Sequence, residues 1–349
     1  RLFDFINLKN VSLLFKLKVF TKHSKYSRKF FKSSCLQMAY TFQNIYVGQS
    51  PFTSPALFSM IPSAELSEGS FFPRGGMFKF ADKLISLAQE KGVRFHYNKP
   101  VVKINVSGDK AKSISFSDGK EVEADVFIGN ADLPYIYREL LPRGCKSLRL
   151  DRMKYSCSAM VLHWGLDKLY PQLSHHNVFL SDNFKAGLKK IFNEKIIGDT
   201  PSFYIHAPTK TDPGAAPDGG ESLSVIIASG HLDENKKNQN WEELRKKARE
   251  YVIKRLVSLG LTDIEDHIKF EIFYSPADWE NMVNITKGSV FGSLAHNILQ
   301  MGYFRPHNRD KRYRNLYFTG GSTHPGNGIP MVLLSAKLVS DRILSENLT

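Results

Sequence analysis

The residues best placed to do chemistry lie in one run, Leu316-Tyr317-Phe318-Thr319-Gly320-Gly321-Ser322-Thr323-His324-Pro325-Gly326-Asn327-Gly328-Ile329-Pro330-Met331. The pattern predicts a strand over 316–319, a glycine-rich turn and a helix over 330–344, with Val332, Leu333, Ala336, Val339 and Ile343 as its apolar stripe. Glycines let a backbone approach a flat ligand closely, and Pro330 suits a first helical turn. The helix start offers free N–H groups and a partial positive charge. That environment suits a ring that gains negative charge on reduction, such as the pyrimidine end of a flavin. A ligand-free turn would use the same residues, so both readings stand. The candidate contacts are Gly320, Gly321, Gly328, Ile329, Pro330 and Met331. No catalytic residue is fixed by the sequence, and two are candidates. His324 either polarises a ring and moves protons or bonds backbone. Arg74, before Gly75-Gly76, either faces a cofactor or acidic partner or is an exposed turn residue.

Several elements must position these groups. Residues 1–45 read as helical and basic, with Leu14, Phe15, Val19 and Phe20 at helical spacing. A Ser/Pro-rich stretch follows over 50–69. A helix then begins after Gly76 and stops at Lys91-Gly92. Beyond it the period changes to two: 93–97, 101–106, 113–116 and 122–128 read as strands, with Asp118-Gly119 as a tight turn. A second amphipathic helix is expected over 241–259 and a short strand over 270–273.

Hydrophobic residues are 42% and charged residues 23% of the 349, ordinary for a globular chain of more than one domain. The net charge of +14 is not ordinary. No carboxylate occurs between Asp4 and Glu65, where eight Lys and Arg residues from Lys9 to Lys32 stand among Phe, Leu, Val and Tyr. Such a field attracts nucleic acid or an anionic membrane. Cys35, Cys145 and Cys157 are too few and too scattered for a disulfide framework or a zinc site. The histidines His163, His175, His176, His206 and His231 show no metal-ligand spacing, and no metal is expected. No apolar run approaches the roughly 20 residues that span a bilayer.

The 316–331 run resembles the C-terminal flavin signature of the carotenoid desaturases of the phytoene desaturase type. Other stretches resemble the same family in the same order. They are Tyr40-Thr41-Phe42-Gln43-Asn44-Ile45-Tyr46-Val47-Gly48 with Ser50-Pro51, Phe71-Phe72-Pro73-Arg74-Gly75-Gly76-Met77, and Asn130-Ala131-Asp132 with Leu140-Leu141-Pro142. Ser275-Pro276-Ala277-Asp278-Trp279, Gly288 with Phe291-Gly292, and Phe304-Arg305-Pro306 complete the series, while His176-Asn177-Val178-Phe179-Leu180 most resembles fungal-type members. The resemblance covers nearly the whole chain. One departure stands out: no Gly-x-Gly-x-x-Gly follows a strand, although the family opens with one.

The resemblance implies an α/β fold of mixed α+β character, an FAD-dependent amine-oxidase-like Rossmann architecture without its first βαβ unit, joined to a substrate-binding domain. The expected segments are 1–70 (helical, membrane and substrate side), 71–145 (FAD-binding), 146–300 (substrate-binding) and 301–349 (C-terminal FAD-binding). It also implies that Val101 or Val102 contacts an adenine through its backbone, where either could be core, and that Asn130 and Asp132 end a strand on the cofactor side, where Asp132 could equally cap a helix. The expected activity is FAD-dependent removal of hydrogen from a C40 carotenoid precursor delivered from lipid. A related flavoprotein acting on another isoprenoid (retinoid saturase or carotenoid isomerase) and a non-catalytic membrane-associated remnant are the alternatives. A lipid-borne substrate makes a peripheral, intracellular membrane association the expected use of the basic helices, rather than nucleic acid. A homo-oligomer is compatible with all of this.

Overall fold

The computed structural model describes residues 7–142, 144–235 and 239–346. Along the chain run three short helices, α1 (Leu8–Lys16), α2 (His23–Ser27) and α3 (Ser34–Ala39), then α4 (Met60–Glu68) and α5 (Met77–Glu90). Strands β1 (Val101–Ser107), β2 (Lys110–Phe116), β3 (Glu121–Glu123) and β4 (Phe127–Gly129) follow, with α6 (Leu133–Tyr135) and α7 (Cys145–Asp151). Then come β5 (Ser158–Leu166), β6 (His176–Phe179), α8 (Phe184–Lys189), β7 (Phe203–His206), β8 (Glu221–Ser229), α9 (Trp241–Val257) and β9 (Ile268–Tyr274). The last elements are α10 (Pro276–Val283), β10 (Leu316–Phe318) and α11 (Ile329–Ser345).

These elements divide into two compact units. The first comprises Arg1–Met60, Tyr97–Ser158 and Ala277–Thr349, and the second Ile61–His96 and Ala159–Pro276. In the first, β1, β2 and β3 form an antiparallel meander, while β10 and β4 pair in parallel with Leu316 opposite Phe127 and Phe318 opposite Gly129. Asn315 joins the two sheets: its Oδ1 accepts from Ala111 N at 2.9 Å, and its Nδ2 donates to Ala111 O at 2.9 Å and Asp125 O at 2.8 Å. Ile104, Phe127, Leu133, Ile136, Leu140, Leu316 and Phe318 are buried together as its core.

The second unit is built on a five-stranded sheet in the order β6-β7-β8-β5-β9. Leu223, Val225 and Ile227 alternate inward along β8 and meet Ala248, Val252 and Leu256 of α9. Helix α9 is well specified: Asn240 Oδ1 accepts from Glu243 N at 3.2 Å, Glu242 and Glu243 occupy the first turn, and Lys254 and Arg255 the last.

Three expectations are corrected. Val93–Tyr97 is not a strand: it joins none of the sheets among the described residues, and Val93, Phe95 and Tyr97 stand exposed. The strand expected over 122–128 is two, β3 and β4, separated at Ala124–Val126. Within the segment expected to be helical, the Ser/Pro-rich stretch holds α4, which tolerates Pro62 in its first turn, where a missing N–H costs nothing. Val19 and Phe20 lie outside α1, whose last residue is Lys16.

Three histidines of the second unit cluster at the β6–β7 edge. His206 Nε2 meets His175 Nε2 at 2.9 Å, His175 Nδ1 meets Thr211 Oγ1 at 2.6 Å, and His176 Nδ1 meets Tyr204 Oη at 2.7 Å. Phe72 sets its ring edge-on against His175 and His206, and Gly75 N donates to Asp212 Oδ2 at 2.6 Å, so the 72–75 loop is fastened to this cluster. Burial, and then the charges of His175 and His176, push His206 down to about 4. An unfolded histidine titrates near 6.5. Between those values the unfolded chain binds a proton that the folded chain refuses, so stability falls as the pH drops through that window. The melting temperature should therefore decline from pH 7 to pH 4.5, and less steeply in His206→Gln. Parallel pH curves for the two proteins would refute the assignment.

Candidate functional site

The 319–328 turn is fixed by residues that surround it in the first unit. Ser335, fully buried in α11, bonds through its Oγ to His324 O (2.9 Å), Asn308 Nδ2 (3.0 Å) and Gly320 N (3.3 Å). Asn308 Nδ2 also donates to Phe318 O at 3.0 Å and His324 O at 2.8 Å. Arg305 is 1% exposed, and no carboxylate pairs with it among the described residues. Its guanidinium donates instead to carbonyl oxygens: Thr323 O at 2.7 Å, Leu294 O and Gln300 O at 3.4 Å each, and Gly321 O. Burial pushes its pKa down to about 9, with the negative charge of Asp132 acting in the opposite direction.

The glycines of this region do two different jobs. A Cβ on Gly292 would stand 2.8 Å from Gly321 O and 2.6 Å from Asn327 Cβ, and one on Gly326 would stand 2.5 Å from His296 Nε2, so these two permit close packing of loop on loop. Gly328, at φ +95°, has open space where a Cβ would be. It stands at the start of α11, which has no side-chain cap and no acidic residue in its first turn. The N–H groups of Ile329 and Met331 have no acceptor among the described residues, and both side chains are exposed. Ser293 Oγ, His296 Nδ1 and Asn327 Oδ1 are buried without a partner among the described residues. Burial, followed by the charge of Arg305, pushes His296 down to about 3.

Gly320, Gly321, Gly328, Ile329, Pro330 and Met331 thus belong to one turn and helix start. Asn130 joins them, its Oδ1 being 3.1 Å from the place of a Cβ on Gly320. Val101 lines an apolar cleft of about 400 Å³ together with Ile104, Gly129, Asn130 and Leu316, whereas Val102 is not among the lining residues and is exposed. Asp132 occupies the N-cap position of α6 but makes no side-chain cap bond; its Oδ2 accepts from Thr286 N at 3.0 Å. The His324 imidazole is half-buried, its Nδ1 lies 3.3 Å from Gly302 O, and burial lowers its pKa. Arg74 is exposed and belongs to the second unit. Sequence reasoning assigned no role to Arg305, Asn308, Ser335, His296 or Gly292. The signal for Ser335 was present as a polar residue inside the apolar stripe of α11.

Residues 15–344 match the family model described as flavin containing amine oxidoreductase. The chain belongs to this family. The cofactor of this flavin family is FAD, and the residues above fit one: an open glycine cradle, two unbonded N–H groups at an uncapped helix start, and a buried cation at the turn. Among curated relatives, a zeta-carotene-forming phytoene desaturase of Myxococcus xanthus is 38% identical over 98% of this chain and 66% of its own length. A phytoene desaturase of Phycomyces blakesleeanus is 38% identical over 97% of this chain and 59% of its own length. The chain therefore spans 59–66% of the length of these relatives. Among solved structures, an oxidoreductase from Methanosarcina mazei aligns with TM-score 0.61 at 16% identity, covering 97% of this chain and 74% of that one. A putrescine oxidase variant aligns with TM-score 0.61 at 12% identity, covering 96% and 70%. Both likenesses concern the fold, and they place this chain in the α/β architecture of the amine oxidoreductases.

Proposed function

We propose that the protein is a carotenoid desaturase of the phytoene desaturase type. The match to relatives with that name runs along nearly the whole chain, and it carries the reading. Phytoene is uncharged and offers no handle for acid–base chemistry, so the difficult step falls to the cofactor. When bound, FAD supplies a two-electron acceptor for a hydride from an allylic carbon. The chain's own residues then have three tasks. The N–H groups of Ile329 and Met331, at the positive end of α11, stabilise negative charge placed against them. Arg305, Asn308 and Ser335 hold the turn in register. His324 with its Nδ1–H directed at Gly302 O keeps Nε2 as a neutral acceptor for the proton lost from the neighbouring carbon.

The sheet supports a further part of this reading. The outer side of β10 is occupied, since Phe318 N donates to Asn308 O at 2.8 Å and Tyr317 bridges Arg309. The outer edge of β4 is unpaired among the described residues, and Ile128 on it is 52% exposed. Parallel strands are normally covered on both faces. Leu333, Leu334 and Leu338 of α11 are likewise exposed. We infer that a dinucleotide-binding βαβ segment adds its first strand to β4. The association with an anionic membrane is of the same standing. Phe15, Phe20 and Phe30 are all more than 60% exposed beside the exposed cations Lys16, Lys18, Lys25 and Lys29, the arrangement of an interface-lying surface. No helix among the described residues is long and apolar enough to cross a membrane.

The test uses the product of the whole gene, purified with lipid and FAD and given phytoene without oxygen. Bleaching of the absorbance near 450 nm together with a coloured polyene is expected. Gly328→Ala should fold with a stability loss of about 2 kcal/mol, the strain of a side chain at a backbone conformation (φ 95°, ψ 146°) that glycine alone ordinarily adopts, yet lose FAD at least tenfold more readily. Flavin bound without bleaching would refute the substrate assignment. An unchanged FAD affinity in Gly328→Ala would refute the cradle.

A further inference from the structure

A second cavity of the first unit, about 420 Å³, lies where the 303–311 loop meets the end of α7. Its walls are apolar and include Leu150, Met153, Phe304 and Pro306. Its polar lining is cationic: Arg149 and Lys311 are exposed at the mouth, Arg305 is buried inside, and no carboxylate lines it. Arg309 also lines it, but its charge is already met by Glu346 at 3.1 Å. Neither Arg149 nor Lys311 has a carboxylate partner among the described residues.

We propose that this cavity binds an anionic membrane lipid with a terminal phosphate-monoester headgroup, the phosphate at Arg149 and Lys311 and an acyl chain against Met153, Phe304 and Pro306. Size and chemistry both point there. The volume lies in the range of small-molecule sites, which are apolar with a few convergent polar groups, and basic pockets beside apolar surface take anionic headgroups. Free phosphate would neutralise the mouth and leave the apolar walls wet. A nucleotide would want a flat stacking platform, but Tyr303 meets Phe304 at 88° and His307 at 78°, both edge-on. The site is distinct from the flavin turn but shares Arg305 with it, since the same guanidinium lines the cavity and holds Thr323 O. The proposal does not depend on the desaturase reading.

The experiment is a calorimetric titration of the purified protein with dihexanoyl phosphatidic acid below its micelle concentration. Saturable binding is expected, weakened by more than about thirtyfold in the Arg149→Glu/Lys311→Glu double variant, since each cation near an anionic head is worth a factor of about five and the substitutions add repulsion to its loss. Dihexanoyl phosphatidylcholine, inorganic phosphate and adenosine monophosphate should not compete. A Lys25→Glu/Lys29→Glu variant, altered on the basic helices, should keep full affinity. Undiminished binding in the Arg149→Glu/Lys311→Glu variant would overturn the proposal. So would loss of affinity in Lys25→Glu/Lys29→Glu, full competition by phosphate or the nucleotide, or no binding by the native protein.

Discussion

Arg305→Leu destabilises the protein by on the order of 4 kcal/mol, the expected cost of leaving four buried carbonyl oxygens without a donor. Two of those carbonyls, Gly321 O and Thr323 O, belong to the flavin turn, and Leu294 O and Gln300 O belong to the loop behind it. The loss therefore appears twice: as a lower urea midpoint, and as weaker retention of FAD at urea concentrations well below unfolding. Arg305→Lys keeps the charge but cannot span four acceptors with one ammonium, so it should recover less than half of the stability. A leucine variant within 0.5 kcal/mol of the native protein (roughly the scatter of neutral surface changes) would show that the guanidinium does not hold the turn.

Gly292→Ala is expected to cost about 3 kcal/mol. Part is backbone strain, because Gly292 sits at φ +82°, where a side chain adds roughly 1–2 kcal/mol. The remainder is collision with Gly321 O and Asn327 Cβ, in the range of overpacked cores. Gly119→Ala is the control: φ is +79°, and nothing stands within 4 Å of its Cβ, so only the strain is present. Equal melting temperatures for the two variants would mean that the 291–296 loop can withdraw from the turn without cost.

Much of this architecture was legible before any coordinates. The glycine stop at Gly92 and the strand–turn–helix at 316–345 formed where the pattern placed them, because their own residues specify them, and β1 formed at the expected place while β2 begins at Lys110, ahead of the expected Ser113. Val93–Tyr97 was misread for the opposite reason, since a strand exists only through its neighbour. Period two could not supply the pairing. Local pattern also hid the work of Arg305 and Ser335. Each bonds partners that lie mostly ten or more residues away and on different loops, which no local pattern shows. A motif of glycines cannot show which of them faces a ligand and which faces a neighbouring loop; Gly328 and Gly292 differ only in what lies beyond their α-carbons.

The interleaving of the two units sets an order on synthesis. Everything in the second unit is in hand once Pro276 has been made. The first unit needs β10 and α11, because Asn327 Nδ2 reaches Tyr46 O, Asn315 grips Ala111, and Gln300 Nε2 reaches Lys154 O. At translation rates of about 5–20 residues per second, the remaining chain takes several seconds to appear. During that interval Tyr46, Ala111 and Lys154 wait for the residues that bond them, while α2 already has its partners, His23 N bonding Ser54 O and Ser24 N bonding Pro51 O. The second unit can therefore close on its own sheet while the first still waits for its last strand and helix.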